Sequence, residues 1–158
     1  MKLIVVGIGQ TLRGDDAAGV EAVHRWQSEY PKTVGRPDIR VEFSELPGLA
    51  LLDLLEGFDA ALLVDAVQSG AEAGTIHRLS LDDLAAFGTE TKSAHGWGAA
   101  ETLQLGVQLG LPVAGIRLRL IGIETAQVEL GKPMSAEVEK ALAAAAQAVE
   151  EDALLLLA

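Results

Sequence analysis

Three side chains in this sequence have types and positions suited to binding a cation. Asp16 follows a glycine-containing stretch near the start of the chain, and Asp65 directly follows the apolar run Ala60-Ala61-Leu62-Leu63-Val64. His95 lies in Ser93-Ala94-His95-Gly96, and a second glycine, Gly98, follows. Two carboxylates and one imidazole can hold a divalent transition metal and leave coordination positions open. Ligand type alone does not distinguish zinc, nickel and manganese.

Both carboxylates also have purely structural explanations. In the pair Asp15-Asp16, one Asp can cap a helix, and the other can favour the helix dipole from the first turn by about 0.3–1 kcal/mol. Asp65 can cap a turn before Gln68-Ser69-Gly70. Against that, a buried strand seldom finishes in a carboxylate unless the carboxylate caps a turn or serves a ligand site.

The three histidines differ in their neighbours. A lone loop histidine such as His95 is usually only solvated, but the glycines around it let the backbone bend and leave the imidazole accessible. His24 and His77 have no glycine neighbours and fall in a predicted helix and a predicted strand. We interpret both as structural.

Several familiar sites are excluded by pattern. Gly7-Ile8-Gly9 follows a predicted strand, but a dinucleotide fingerprint needs a third glycine at position 12, where Leu12 stands. Asp15 and Asp16 would also repel a pyrophosphate at the helix N-terminus. The sequence contains no Gly-Lys-Ser/Thr, no His-Glu-x-x-His and no Gly-x-Ser-x-Gly, which argues against a P-loop, a zincin and a serine hydrolase elbow.

Buried strands alternate with helices along the chain. The patterns predict strands at 2–7, 39–43, 60–64, 74–79 and 117–123, and helices at 16–29, 49–55, 81–84 and 99–109. Ser80 and Ser135 are predicted helix N-caps, the latter for a long C-terminal helix, and 31–37 and 89–98 are predicted loops. This order predicts an α/β fold, a single-domain, doubly wound, mostly parallel sheet over residues 1–158 with helices on both faces.

In such sheets, ligands bind beyond the carboxyl ends of the strands. Asp16 follows the first strand, Asp65 ends the central one, and His95 lies in the loop before a later helix. We therefore expect these three side chains to converge on one site.

Composition limits the partners and the location. The 158 residues carry a formal net charge of −11, which opposes binding to nucleic acid or to an anionic membrane. Cysteine is absent, so thiolate metal sites and cysteine nucleophiles are excluded, and a reducing cytoplasm is expected. The apolar run at the N-terminus is too short for a secretory signal, and no segment approaches the ~18 apolar residues of a transmembrane helix.

The sequence resembles the hydrogenase maturation endopeptidases over nearly its whole length. The segment from Gly7 to Gly19 is similar to their N-terminal signature, Leu63-Val64-Asp65-Ala66-Val67 to their central strand, and Ser93-Ala94-His95-Gly96 to their histidine loop. Ile121-Gly122-Ile123-Glu124 is similar to their late strand. Two positions depart from the pattern: Gln10 replaces the usual Asn, and Thr125 replaces a common proline.

The resemblance implies an endopeptidase, of the aspartic type, that clips the C-terminal extension from the nickel-loaded precursor of a nickel–iron hydrogenase large subunit. It implies that Asp16, Asp65 and His95 form the metal site, with Asp16 and Asp65 catalytic. The nickel is expected to arrive with the substrate, and no organic cofactor is expected. Whether the metal serves catalysis or recognition stays open at this point.

Two other functions remain open from sequence. One is a non-enzymatic nickel-binding accessory protein with the same three ligands. The other is a different hydrolase of this architecture, such as a spore-type protease, which the short chain and the Asp16, Asp65 and His95 set disfavour.

Overall fold

The computed structural model describes residues 1–45, 48–83, 92–93 and 99–158. Strands and helices alternate along most of the chain. The strands are β1 (Leu3–Ile8), β2 (Ile39–Ser44), β3 (Ala60–Gln68), β4 (Ile76–Ser80), β5 (Lys92–Ser93) and β6 (Arg117–Glu124). The helices are α1 (Ala18–Glu29), α2 (Pro31–Val34), α3 (Leu49–Leu55), α4 (Ala99–Gln108) and α5 (Ala136–Leu157), with 3-10 turns at Gly14–Ala17 and Pro112–Gly115.

The strands form one sheet in the order β2-β1-β3-β6-β4, and β5 pairs with the end of β3. The first four of these run parallel, whereas β4 is antiparallel to β6 and β5 is antiparallel to β3. From β1 the chain moves outward to β2 and then returns past β1 to β3. The direction of winding therefore reverses between β1 and β3, and such a switch point is where parallel sheets bind ligands.

Helices cover both faces of the sheet, so the predicted α/β class is confirmed. On one face α1 and α5 bury alternate residues of the strands, including Leu3, Val5 and Leu62. On the other face α3 and α4 bury the residues between them, including Ile4, Val6 and Leu63. Because neighbouring strand residues point to opposite faces, a strand covered on both sides must be apolar throughout, as β1 and most of β3 are.

Several predicted boundaries differ from the structure by one or two residues, and two predictions are wrong by more. Strand β3 does not end at Asp65 but continues to Gln68, because β6 pairs with it as far as Val67 and β5 pairs with Val67 and Gln68. The predicted loop at 31–37 begins with the short helix α2, which has a proline in its first turn. The rest of the predicted loop 89–98, apart from Lys92–Ser93, lies outside the described residues.

The long helix α5 begins at the predicted cap, since Ser135 accepts a hydrogen bond from Val138 N. A buried carboxylate holds its other half on the sheet. Asp152 is fully buried and accepts a hydrogen bond of 2.6 Å from Arg78 on β4, and its second oxygen lies 3.2 Å from Nε of Arg119 on β6. This hydrogen bond raises the pKa of the Arg78 guanidinium. Within the described chain, no helix is long and apolar enough to span a bilayer.

Helix α1 lies unusually close to the sheet at Gly19. A Cβ built on Gly19 would lie 2.2 Å from the Val64 carbonyl oxygen and 2.6 Å from that of Ile8. Both are backbone atoms in paired strands, so neither can move aside cheaply. The close approach seats the first turn of α1 directly on the junction of β1 and β3.

We expect Gly19→Ala to lower the free energy of unfolding by about 1–3 kcal/mol, because the methyl group must push α1 away from two carbonyls. Gly115→Ala is the matched control: its added Cβ would meet nothing within 4 Å, and the change should stay within about 0.5 kcal/mol. Urea unfolding followed by circular dichroism measures both. Equal stability of the two variants would show that the approach at Gly19 is not a packing constraint.

Candidate active site

Asp16 and Asp65 lie at the switch point between β1 and β3. The chain leaves β1 at Ile8, turns through residues 9–13 and enters the 3-10 turn Gly14–Ala17, which contacts β3. Gly9 adopts a φ of 149°, and a Cβ there would lie 2.0 Å from the Asp16 carbonyl oxygen. This turn therefore folds back tightly against the end of β1, next to the strand that carries Asp65.

The sheet has a notch at Asp65. Strand β1 pairs with β3 only as far as Val64, and β5 begins to pair at Val67. On this side of β3, Asp65 and Ala66 therefore lie between the segment that pairs with β1 and the segment that pairs with β5. On the other side Asp65 is aligned with Gly122 of β6. We call the stretch Asp65–Ala66 the notch.

The Asp65 carboxylate is almost completely buried, at 1% exposure. Its Oδ1 accepts a hydrogen bond of 2.8 Å from the backbone N–H of Ala66. Since side chains alternate along a strand, Asp65 points to the same face as Leu63, the face covered by α3 and α4. The carboxylate is thus fixed on a strand and does not cap the turn after Gln68.

The Asp16 carboxylate is also buried, and its Oδ2 accepts a hydrogen bond of 2.9 Å from Gln10 N. Within the same turn Arg13 N donates to Gln10 O at 3.2 Å, and Asp16 N donates to Arg13 O at 3.0 Å. The turn therefore holds the carboxylate in one orientation. Here the unusual Gln10 contributes its backbone N–H, which an Asn at the same position would also possess.

Asp15 has a different role from its neighbour. Its two carboxylate oxygens accept hydrogen bonds from Ala126 N, Gln127 N, Ser135 N and Ser135 Oγ, at 2.6–3.0 Å. Those donors belong to the connection between β6 and α5. Asp15 is therefore a buried structural anchor, as one of the two carboxylates was expected to be, although it holds a distant loop and does not cap its own helix.

His95 falls within residues 94–98, which lie outside the described residues. Its nearest described neighbour toward the N-terminus, Ser93, pairs with Val67 beside the notch. The predicted convergence of Asp16, Asp65 and His95 therefore stays a prediction. Within the described ranges, no group of three or more His, Asp or Glu side chains is arranged to hold a metal.

A second buried cluster was not singled out from sequence. Glu124, at the end of β6 and 2% exposed, accepts hydrogen bonds from the backbone N–H of Ser69 at 2.9 Å and from its hydroxyl group. His77 Nε2 lies 3.1 Å from the same carboxylate. An apolar run that ends in a carboxylate was the available signal, because Leu120 to Ile123 precede Glu124 as Ala60 to Val64 precede Asp65.

The geometry of this cluster does not make Ser69 a nucleophile. In a serine triad the histidine uses one ring nitrogen for the serine and the other for the acid. Here the same ring nitrogen of His77, Nε2, lies near both Glu124 Oε1 and Ser69 Oγ, the latter at 3.4 Å. The serine hydroxyl donates its hydrogen bond directly to Glu124 and not to the histidine. The cluster instead clamps the end of β3, since Glu124 is aligned with Val67, the residue that also pairs with β5.

Comparison with known proteins identifies the family. Residues 46–152 match the model of the HycI hydrogenase maturation protease family. The chain is 30% identical over 129 residues to the hydrogenase expression/formation protein HupD of Rhodobacter capsulatus, which covers 81% of this chain and 59% of the relative. It is 29% identical over 146 residues to HupD of Rhizobium leguminosarum bv. viciae, covering 91% and 70%. The chain thus spans little more than half the length of the first of these relatives.

Solved structures agree with this assignment. The hydrogenase maturating endopeptidase HybD from E. coli is 25% identical, with a TM-score of 0.77 over 94% of this chain and 90% of that one. The maturation protease HybD from Thermococcus kodakarensis is 24% identical and shares the fold, with a TM-score of 0.72 over 97% and 99%. The expected family is confirmed: this chain belongs to the hydrogenase maturation proteases.

Proposed function

We propose that this chain is the endopeptidase that removes the C-terminal extension from the nickel-loaded precursor of a nickel–iron hydrogenase large subunit. The observation that carries the proposal is the position of two buried carboxylates, Asp16 and Asp65, at the switch point of a maturation-protease fold. The proposal treats residues 1–158 as one such domain, and one sheet with strands from Leu3 to Glu124 supports this. It places the reaction in the cytoplasm.

In this proposal Asp16, Asp65 and His95 bind the nickel that the precursor carries. Buried carboxylates attract a divalent cation strongly, because charges interact more strongly in a low-dielectric site than in water. Ser93 lies beside Val67, and the two further residues to His95 span at most about 7 Å. Helix α4, which follows His95 in sequence, packs on the face to which Asp65 points.

The two carboxylates have separate roles. Asp65 belongs to a strand that pairs with β6 from Ala60 to Val67 and is clamped at its end by Glu124, which suits rigid ligation. Asp16 lies in the 3-10 turn that leads into α1, where Gln10 N donates a hydrogen bond to its carboxylate. We assign to Asp16 the task of accepting a proton from the attacking water. The water oxygen adds to the scissile carbonyl carbon, the C–N bond breaks, and the leaving amine takes up a proton.

The first prediction concerns the cargo of the substrate. Purified protein should cleave the nickel-loaded precursor and leave the nickel-free precursor intact, because nickel docks the scissile segment against the carboxylates. Mass spectrometry of the released C-terminal peptide measures the reaction. Equal cleavage of the two precursors would contradict recognition through nickel. Binding of the loaded precursor without cleavage would favour the accessory-protein alternative.

The second prediction distinguishes the catalytic role proposed for Asp16 from the structural role of the adjacent Asp15. Asp16→Asn should lower kcat at least a hundredfold, since a general base contributes about 10²–10⁴-fold, with little loss of stability. Asp15→Asn is the matched variant: it replaces one acceptor oxygen by a donor in a buried anchor and should lower the unfolding free energy by about 2–3 kcal/mol. Its kcat, measured well below its melting temperature, should remain close to that of the wild type.

Asp65→Asn, measured alongside, should chiefly weaken binding of the nickel-loaded precursor. Urea unfolding and single-turnover cleavage of the same preparations distinguish these effects. Full activity in Asp16→Asn would remove this residue from catalysis and transfer the role of base to Asp65. A large loss of kcat in a stable Asp15→Asn protein would show that the anchor is part of the reacting site.

The third prediction concerns His95. His95→Ala should weaken nickel binding and precursor binding by at least tenfold, because one of three ligands is lost, while the melting temperature changes little. His24→Ala is the control, since His24 is exposed on α1 and stacks on Phe43. Titrations with nickel or cadmium and thermal melts test the pair. A lower melting temperature with unchanged metal binding would make His95 structural.

A further inference from the structure

Two apolar side chains stand out into solvent beside the turn that carries Asp16. Leu12 is 74% exposed and Leu130 is 75% exposed, the highest values among the large apolar side chains of the described chain. They lie on neighbouring loops, because Gly131 N donates a hydrogen bond of 2.8 Å to Leu12 O. We call Leu12, Arg13, Leu130 and Lys132 the lip.

The lip is held by hydrogen bonds on both loops. Gly14 N donates to Lys132 O at 3.1 Å, and Asp15 N donates to Gln127 O at 2.9 Å. The Asp15 carboxylate anchors the same loop at Ala126 and Ser135. These hydrogen bonds therefore fix the backbone at Leu12 and Leu130, although both side chains remain exposed to solvent. Neighbouring exposed apolar side chains with a polar rim, here beside the candidate active site, are typical of a surface that contacts a partner.

The charge of the lip limits the kind of partner. The chain carries a net charge of −11, yet Arg13 and Lys132 form no ion pair with a carboxylate of the described chain. Most other described arginines do form such pairs: Arg25, Arg36, Arg40, Arg78 and Arg119. Two cations without a described carboxylate, beside two apolar side chains, complement an apolar segment that itself carries a carboxylate.

We propose that the lip binds an extended segment of the precursor that presents apolar side chains and at least one carboxylate, next to the bond that is cut. This inference rests on the proposed function and adds a docking surface to it. Leu12 is four residues from Asp16, in the segment that joins β1 to the 3-10 turn, so the lip borders the candidate active site. A second copy of the chain fits less well, because a two-fold contact would bring the cations of both lips together.

The test compares two double variants with two matched controls. Leu12→Ser/Leu130→Ser removes the apolar part of the lip, and Arg13→Glu/Lys132→Glu reverses its charge. Leu154→Ser/Leu155→Ser and Lys32→Glu/Lys140→Glu make the same changes at exposed positions on α5 and α2. The probe is the nickel-loaded large-subunit precursor from the same organism. Binding is measured by biolayer interferometry, and cleavage by steady-state kinetics.

We expect the leucine variant to raise Kd for the precursor by roughly tenfold or more, and to raise KM with kcat unchanged, because burying one leucine is worth about a factor of ten in affinity. The charge-reversed variant should bind several-fold more weakly at low salt, and the difference should shrink as ionic strength rises. Both control variants should behave as the wild type.

Wild-type Kd and KM in both lip variants would overturn the docking surface and leave the proposed function intact. Loss of a concentration-dependent dimer in the lip variants, with precursor binding unchanged, would assign the lip to self-association and also overturn the proposal. A wild-type protein that neither binds nor cleaves the precursor would overturn the proposed function and the docking surface together.

Discussion

The close approach of α1 to the sheet at Gly19 is the constraint on which the candidate site depends. With no side chain at this position, the first turn of the helix rests on the carbonyls of Ile8, at the end of β1, and of Val64, in the middle of β3. The chain between β1 and α1 must then reverse within residues 9–17, and Gly9, at a φ of 149°, permits that reversal. Asp16 is brought beside β3 as a consequence.

Asp15 and Asp16 illustrate how neighbouring identical side chains can serve opposite purposes. The carboxylate oxygens of Asp15 accept four hydrogen bonds from the β6–α5 connection, so the charge of Asp15 is compensated inside the protein. Asp16 instead accepts a hydrogen bond from Gln10 N, within the turn that follows β1 at the switch point of the sheet. The anchor at Asp15 also fixes the loop that carries Leu130, so one buried carboxylate supports both the turn of the candidate active site and the proposed docking surface beside it.

Much of this organisation follows from the sequence. The apolar runs of β1 and β3 and the helices between them require a sheet that is covered on both faces, and this places Asp16 and Asp65 at its carboxyl edge. The extension of β3 beyond Asp65 could not be predicted, because it depends on pairing with β5 and β6, which are remote in the chain. The hydrogen bonds of Asp15 could not be predicted for the same reason, since its four donors lie more than a hundred residues away in the sequence.

The alignment of β3 with its neighbours has a consequence for changes in chain length. Side chains alternate between the two faces of a sheet along each strand. One residue inserted between Asp65 and Val67 would therefore either turn the Asp65 carboxylate to the opposite face or shift the register of the pairing with β5. The turn between β3 and β4 is different, since its ends are held by hydrogen bonds from Ser69 N and Gly74 N to Glu124. Doubling the length of such a loop costs only about 0.6 kcal/mol. Insertions among relatives should therefore accumulate between residues 70 and 73 and be absent between 65 and 67.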